Sequence, residues 1–160
     1  MQSAINERWA ALRDGLLRKN ATLATAESCT GGRIASIITA EPGASAYFKG
    51  GIVAYSNGAK IACLGADPAT IAEYGAVSVQ VTEQMAQGAR RVFGADYAIA
   101  VSGIAGPDGG SPGKPVGTVC ITIATPAATL SERIALPHDR SGNIEAAANH
   151  ALAMLSDIMI

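Results

Sequence analysis

The sequence predicts a three-layer α/β/α domain around a mixed, mostly parallel sheet. Three observations point there. Helical and strand patterns alternate along most of the chain, as they do when helices cover both faces of a sheet. Tyr97-Ala98-Ile99-Ala100-Val101 is a near-continuous apolar run, the pattern of a strand buried on both faces at the centre of a parallel sheet. Near the end, residues 116–125 and 129–136 read as two strands joined by a hairpin through Pro126, which adds antiparallel pairing.

Each element follows from local signals. Ser3 to Lys19 reads as a helix with Ile5, Trp9, Leu12 and Leu16 on one face and Ser3 as its cap. Thr22 to Ala26 is a short strand, and Glu27-Ser28-Cys29-Thr30-Gly31-Gly32 is a strand-to-helix turn. The next helix carries Ile34, Ile37 and Ile38 and stops at Glu41-Pro42-Gly43. Gly51 to Tyr55 is a second strand. Asn57 opens a short helix through Lys60, Cys63 and Leu64, and Asp67-Pro68 supplies a cap and a first-turn proline for another. Ser78 caps a long helix carrying Val81, Met85, Ala89 and Val92, which ends near Gly94. The central strand at 97–101 follows. Residues 103–115 hold five glycines and three prolines and exclude regular structure. After the hairpin, Asp139 or Ser141 starts a last helix with Ile144, Ala148, Leu152 and Leu155 along one stripe. No internal repeat or linker interrupts the chain, so residues 1–160 are expected to form one domain.

Composition narrows the function classes. Hydrophobic residues make up 49% of the chain, enough for a real core, while a charged fraction of 16% and a net charge of −1 argue against a basic nucleic-acid footprint. The 32 alanines and 18 glycines suit helices packed close to a sheet and loops that approach a ligand. Cys29, Cys63 and Cys120 are isolated and odd in number, so neither a zinc site nor a disulfide framework is supported. Their burial as small apolar residues in a reducing cytosol is expected. The N-terminal segment lacks the apolar core of a signal peptide, and no apolar run approaches the roughly 18 residues of a membrane span. A cytoplasmic protein without membrane or nucleic-acid partners is expected.

Three segments carry candidate chemistry. In Ala24-Thr25-Ala26-Glu27-Ser28-Cys29-Thr30-Gly31-Gly32, a hydroxyl and a thiol stand where a strand meets a helix, and two glycines expose N–H groups. That suits a nucleophile beside an oxyanion or phosphate site; a hydroxyl cap with glycine for tight packing is the alternative. In Gly50 to Lys60, Lys60 follows a strand end in an otherwise uncharged helix. A partly desolvated lysine loses its charge readily and serves as a base, whereas an ordinary surface lysine would not. The third segment, Ser102 to Pro115, is a glycine-rich loop after a buried strand. It is not a P-loop, because Asp108 and Pro115 stand where Gly and Ser or Thr are required. It has no G-x-G-x-x-G and opens no helix. His150 falls in the last helix and His138 in a loop, and no G-x-S-x-G elbow is present, so a serine nucleophile would take lysine as its base.

Together, A-T-A-E-S-C-T-G-G at 24–32, G-G-I-V-A-Y-S-N with Lys60 at 50–60, and S-G-I-A-G-P-D-G-G…K-P-V-G-T-V at 102–119 resemble the CinA C-terminal domain. This is the competence/damage-inducible protein family, whose stand-alone members include PncC nicotinamide-nucleotide amidases. The resemblance runs from about residue 5 to the end, and the larger N-terminal domain of many members is expected to be absent. It implies an α/β/α fold similar to anticodon-binding domains, usually a homodimer, and hydrolysis of nicotinamide mononucleotide to nicotinate mononucleotide and ammonia. The family's serine maps to Ser28, its lysine to Lys60 and its tyrosine to Tyr55. Two departures stand out. Ser102 occupies a position that is commonly Thr, and the commonly seen G-D-R-x-x-I-R is here His138-Asp139-Arg140-Ser141-Gly142-Asn143-Ile144-Glu145, one residue longer and with Glu145 in place of a basic residue.

On that implication Ser28 attacks the carboxamide, neutral Lys60 takes its proton, and N–H groups around Thr30, Gly31 and Gly32 stabilise the oxyanion beside Cys29. Ser102, Gly103, Gly106, Gly109, Gly110, Lys114 and Arg140 are candidates for contacts with the ribose phosphate. Tyr55 tunes Lys60 or packs on the pyridine ring, and Glu27 faces the pyridinium charge. No metal or organic cofactor is required. Two other readings stay open: a non-catalytic nucleotide-binding or regulatory module, and a thiol enzyme using Cys29, its pKa lowered by a helix N-terminus.

Overall fold

A computed structural model describes residues 2–159, with side chains from residue 7 onward. The Ser3 cap and the packing of Ile5 therefore rest on side chains outside the described ones. In chain order the elements are α1 (Gln2–Lys19), β1 (Leu23–Glu27), α2 (Arg33–Thr39), a 3-10 turn (Ala44–Ala46), β2 (Phe48–Val53), α3 (Asn57–Leu64), α4 (Pro68–Tyr74), α5 (Val79–Phe93), β3 (Tyr97–Gly103), β4 (Thr118–Ala124), β5 (Thr129–Ala135) and α6 (Arg140–Met159). The strand order is β2-β1-β3-β4-β5. β1 pairs parallel with both β2 and β3, and β4 pairs antiparallel with both its neighbours. Four strands thus run one way and β4 runs against them.

The two faces of the sheet bury different side chains. On one face Leu23, Ile99, Val101, Ile121 and Ile123 pack against Trp9, Leu12 and Leu16 of α1, Ile34 and Ile38 of α2, and Leu152 and Leu155 of α6. On the other, Ala24, Ala26, Ala98 and Ala100 form a shallow alanine surface under Val81, Met85, Ala86 and Ala89 of α5, with Leu64 of α3. Short side chains let a helix lie near the strands without voids. Among the described residues, no helix is long and apolar enough to cross a membrane.

The chain makes its crossovers so as to leave a crevice at the end of β1. It leaves β1 through α2 on one face to reach β2, and returns through α5 on the other face to reach β3. The carboxyl ends of β1 and β3 therefore lie where the connections diverge, the usual ligand position of an open α/β sheet.

Local signals placed most boundaries. Ser56, Asp67 and Ser78 each accept a backbone N–H at the start of α3, α4 and α5. Asp139 caps α6 by accepting from Gly142 N–H at 2.8 Å. The structure corrects four expectations. β2 starts at Phe48 and ends at Val53, leaving Tyr55 beyond the strand. Its glycines are required by neighbours rather than by a break: a Cβ on Gly51 would lie 2.2 Å from Thr25 Oγ1, and one on Gly50 2.6 Å from the Phe93 ring. β3 continues to Gly103, because antiparallel pairing with β4 persists through the Gly103–Val119 pair. Val92 is exposed on the outer face of α5. Cys63 is exposed on α3, unlike buried Cys29 and Cys120.

Candidate active site

Strand alternation sends Glu27 and Ser28 to opposite faces of the sheet. Ser28 follows Ala24 and Ala26 toward the α3 and α5 face. Its N–H donates to the Val101 carbonyl at 2.9 Å, extending the β1–β3 ladder by one step. On the other side of β1, Ala54 N–H donates to the Glu27 carbonyl at 2.8 Å, and α3 begins three residues later. Lys60 lies one turn into α3, and its side chain runs back toward the strand ends. Nζ donates to the Ala54 carbonyl and to Ser28 Oγ, each at 2.9 Å. Lys60 is only 2% exposed. Burial lowers its pKa below the ordinary lysine value, against a smaller opposing contribution from Cys29. Among the described residues Lys60 has no carboxylate partner, so no ion pair offsets that lowering.

The turn after Ser28 is built on Gly31 and Gly32, both at positive φ, +57° and +98°. Gly31 N–H is already spent on the Ser28 carbonyl at 3.1 Å. The N–H groups of Thr30 and Gly32 meet no acceptor among the described residues, while that of Cys29 faces its own thiol; these main-chain groups are the candidate oxyanion donors. Cys29 is buried, and burial pushes its thiol up to about 12. Desolvation outweighs any help from the turn and disfavours the thiolate, which argues against the thiol-enzyme expectation.

The side chains of Glu27 and Thr30 do not line the cleft. The Glu27 carboxylate, 1% exposed, turns to the α2 side and accepts from Thr30 Oγ1 at 2.7 Å, Ile34 N–H at 2.9 Å and Ala35 N–H at 3.1 Å. The expected contact of Glu27 with a pyridinium is therefore corrected, because β1 alternation points it to the opposite layer.

The cleft beside Ser28 has a volume of about 230 Å³ and is walled by Cys29, Tyr55, residues 103–106, Asp108, Gly109 and Arg140. A larger cavity of about 660 Å³ adjoins it and shares Ala105, Gly106 and Arg140. Arg140 spans the mouth between them. It donates to the Gly106 carbonyl at 2.7 Å and to the Tyr55 hydroxyl at 3.0 Å. Tyr55 is exposed, and its hydroxyl meets Arg140 rather than Lys60, so it does not tune the lysine through a hydrogen bond. Ser102 is buried in β3, one position past the Val101 that pairs with Glu27. Gly103, Gly106 and Gly109 line the cleft, whereas Gly110 packs under Val116, where a Cβ would meet its N at 2.8 Å.

Lys114 is drawn elsewhere. Its Nζ donates to the carbonyl of Tyr74 at the end of α4, which takes it off the cleft wall. Arg133 holds the same loop through the Gly113 carbonyl. Asp108, the only acid in the glycine-rich loop, is also a wall residue.

The family model for the CinA C-terminal domain matches residues 6–159. This chain belongs to the CinA C-terminal domain family. The nicotinamide-nucleotide amidohydrolase PncC of Shewanella oneidensis is 52% identical over 122 residues, 76% of this chain and 29% of that protein. A CinA-like protein of Shewanella woodyi is 52% identical over 126 residues, covering 79% of this chain and 30% of its own length. The chain thus spans about a third of the length of the curated relatives it matches. The crystal structure of a competence/damage-inducible protein from Agrobacterium tumefaciens superposes with a TM-score of 0.93 at 38% identity, covering 96% of this chain and 94% of that one.

In this CinA domain Glu145, His138 and His150 lie outside the cleft around Ser28. Glu145 pairs with Arg33 at the start of α2, through contacts of 2.6 and 2.9 Å that hold its carboxyl below the usual range. His138 lines the adjoining larger cavity. His150 pairs with Glu132 at 2.7 Å between α6 and β5, away from the chemistry. Among the described residues, no three His, Cys, Asp or Glu side chains converge as a metal site would require.

Proposed function

We propose that this CinA domain hydrolyses the carboxamide of nicotinamide mononucleotide, giving nicotinate mononucleotide and ammonia. The observation that carries the reading is the 2.9 Å contact between buried Lys60 Nζ and Ser28 Oγ, with burial favouring the neutral amine. Ser28 Oγ attacks the carboxamide carbon while its proton passes to Lys60. Charge that builds on the carbonyl oxygen meets main-chain N–H groups of the turn after Ser28, of which Cys29 lines the cleft. Protonated Lys60 then gives its proton to the amide nitrogen, and ammonia leaves an acyl-serine. Water attacks the ester, its proton passing through Lys60 back to Ser28, and the carboxylate is released. No step requires a metal.

Substrate binding follows from the walls. The 230 Å³ cleft suits the pyridine carboxamide, with Tyr55 as an aromatic wall. Arg140, the one cation lining the cleft, is the phosphate ligand and gives up its hold on Tyr55 and Gly106 to take it. Lys114, tied to Tyr74, has no part in this reading. The name of the Shewanella oneidensis relative supports the same substrate class.

The test is ammonia release over a panel of nicotinamide, its riboside, the mononucleotide and the dinucleotide. The mononucleotide is expected to be the best substrate, because binding energy from a remote phosphate assists the reacting end. Ser28→Ala is expected to fold normally and lose at least roughly a thousandfold in turnover. Equal efficiency on riboside and mononucleotide would remove the phosphate role, and Ser28→Ala activity within a fewfold of the parent would remove the serine.

A further inference from the structure

The strongest feature left unused by this chemistry is the buried carboxylate of Glu27. We propose that Glu27 is a positioning residue that holds the Ser28 turn in its reactive geometry by capping α2 from inside the sheet. The proposal rests on the serine-nucleophile reading above. Two facts support it. Glu27 and Ser28 are adjacent, so whatever fixes one backbone fixes the other. Both oxygens of Glu27 are committed across the turn: Oε1 accepts from Thr30 Oγ1 and Ile34 N–H, and Oε2 accepts from Ala35 N–H. The carboxylate thus ties the strand end to the first turn of α2 and closes the loop of residues 28–32 between two fixed points.

The same residue also sets the lysine. The Glu27 carbonyl accepts from Ala54 N–H at 2.8 Å, and the Ala54 carbonyl accepts from Lys60 Nζ at 2.9 Å. One residue therefore anchors the nucleophile's turn through its side chain and the base through its main chain. Gly31 and Gly32 give that turn its positive-φ path and supply no side chain to stiffen it. Without the carboxylate, the N–H groups of Cys29, Thr30 and Gly32 lose their fixed direction. The first N–H groups of α2 also lose their acceptor. Preorganised donors matter because they need no rearrangement when charge develops.

Glu27→Gln keeps the shape but replaces one accepting oxygen with a donor, so it can serve the Thr30 and Ile34 side or the Ala35 side, not both. Thr30→Val removes one bond and leaves the carboxylate in place, and Thr30→Ser restores the hydroxyl. The readout independent of substrate is covalent labelling by an alkyl fluorophosphonate. Ser28 Oγ bonds to phosphorus, fluoride leaves, and the proton passes to Lys60; the adduct is located by mass spectrometry. Steady-state kcat and KM for ammonia release from nicotinamide mononucleotide are measured in parallel, with circular dichroism to verify folding.

The expected result is labelling of Ser28 in the parent protein. Labelling rate and kcat fall ~10- to 100-fold in Glu27→Gln and Thr30→Val, the range for a displaced catalytic group. KM stays within about threefold and Thr30→Ser recovers most of the rate, since the nucleophile and not substrate affinity is disturbed. If the parent labels and the variants slow, but no pyridine nucleotide is hydrolysed, the positioning role stands and the substrate assignment fails. If Glu27→Gln does not fold, the Thr30 pair decides. The proposal is overturned if the parent is not labelled at Ser28, or if folded variants label within twofold of the parent. A rise in KM with unchanged kcat also overturns it, because that would make Glu27 a substrate contact.

Discussion

Gly88→Ala is a methyl group placed far from the chemistry that should nonetheless reach it. Gly88 is buried in α5, where a Cβ would lie 1.9 Å from the Leu64 carbonyl oxygen and 2.8 Å from its carbon. Leu64 is the last residue of α3, one turn beyond Lys60. Moving that contact out to even 3.0 Å requires α3 and α5 to part by about 1.1 Å. The obstacle is backbone, so no rotamer change relieves it. Arg91, which donates to the same carbonyl at 3.2 Å, is disturbed as well. Two effects compete. Replacing an interior helical glycine by alanine stabilises by about 1 kcal/mol. Overpacking costs about 1–3 kcal/mol, and a backbone obstacle puts it at the upper end. The net expectation is a loss of about 2 kcal/mol, roughly 4–8 °C in Tm for a chain of this size.

The functional effect is larger. Lys60 Nζ stands 2.9 Å from Ser28 Oγ. A shift of about an ångström takes the pair past hydrogen-bond range and costs turnover on the order of a hundredfold. Thermal unfolding followed by circular dichroism reads the first number, and ammonia release or fluorophosphonate labelling of Ser28 reads the second. A raised Tm would mean that helix propensity outweighs the clash, and a rate within about threefold of the parent would mean that α3 does not position the lysine. Either result refutes the reasoning.

Other tests bear on the charges. Lys60→Arg is expected to be nearly inactive, because a guanidinium keeps its proton and cannot accept one from Ser28; turnover near the parent level excludes the general-base role. In the parent, catalytic efficiency should rise with pH along a limb below the ordinary lysine value of 10.5, since burial lowers the Lys60 pKa. The same shift has a sign for stability. Between the lowered folded pKa and 10.5 the unfolded chain binds more protons, so stability should rise with pH across that window relative to Lys60→Met. Urea unfolding at a series of pH values measures it, and a difference that falls with pH contradicts the assignment. At pH 8, iodoacetamide should modify exposed Cys63 and spare Cys29, whose thiol is pushed up to about 12, with activity retained. Inactivation in step with Cys29 alkylation would restore the thiol mechanism.

Much of this domain is written in signals that act over a few residues. Ser56, Asp67, Ser78 and Asp139 start helices because each side-chain oxygen reaches an N–H two or three residues on. The hairpin closes at Pro126 because Thr125 and Ala128 bond across it. The alanine run of β1 and the apolar run of β3 mark strands covered on both sides. Ser28 in a glycine turn and Lys60 in an uncharged helix were likewise marked by residue type and local setting.

Tertiary structure alone decided which of these groups meet. Lys60 finds Ser28 across 32 residues, and Arg140 finds Tyr55 across 85, because the sheet order brings the ends of β1 and β3 beside α3 and α6. It also decided against readings that residue type favoured. Glu27 had the right charge for a pyridinium, but alternation along β1 sends it to the α2 layer. Lys114 sits in the glycine-rich loop, yet the carbonyl ending α4 is nearer than the cleft. Cys63 looked like core, yet falls on the outer side of α3. The physical reason is common to all of them. A cap or a turn is settled by hydrogen bonds between near neighbours, whereas the company a side chain keeps depends on strand order, register and the face it leaves from, which exist only once distant segments have packed.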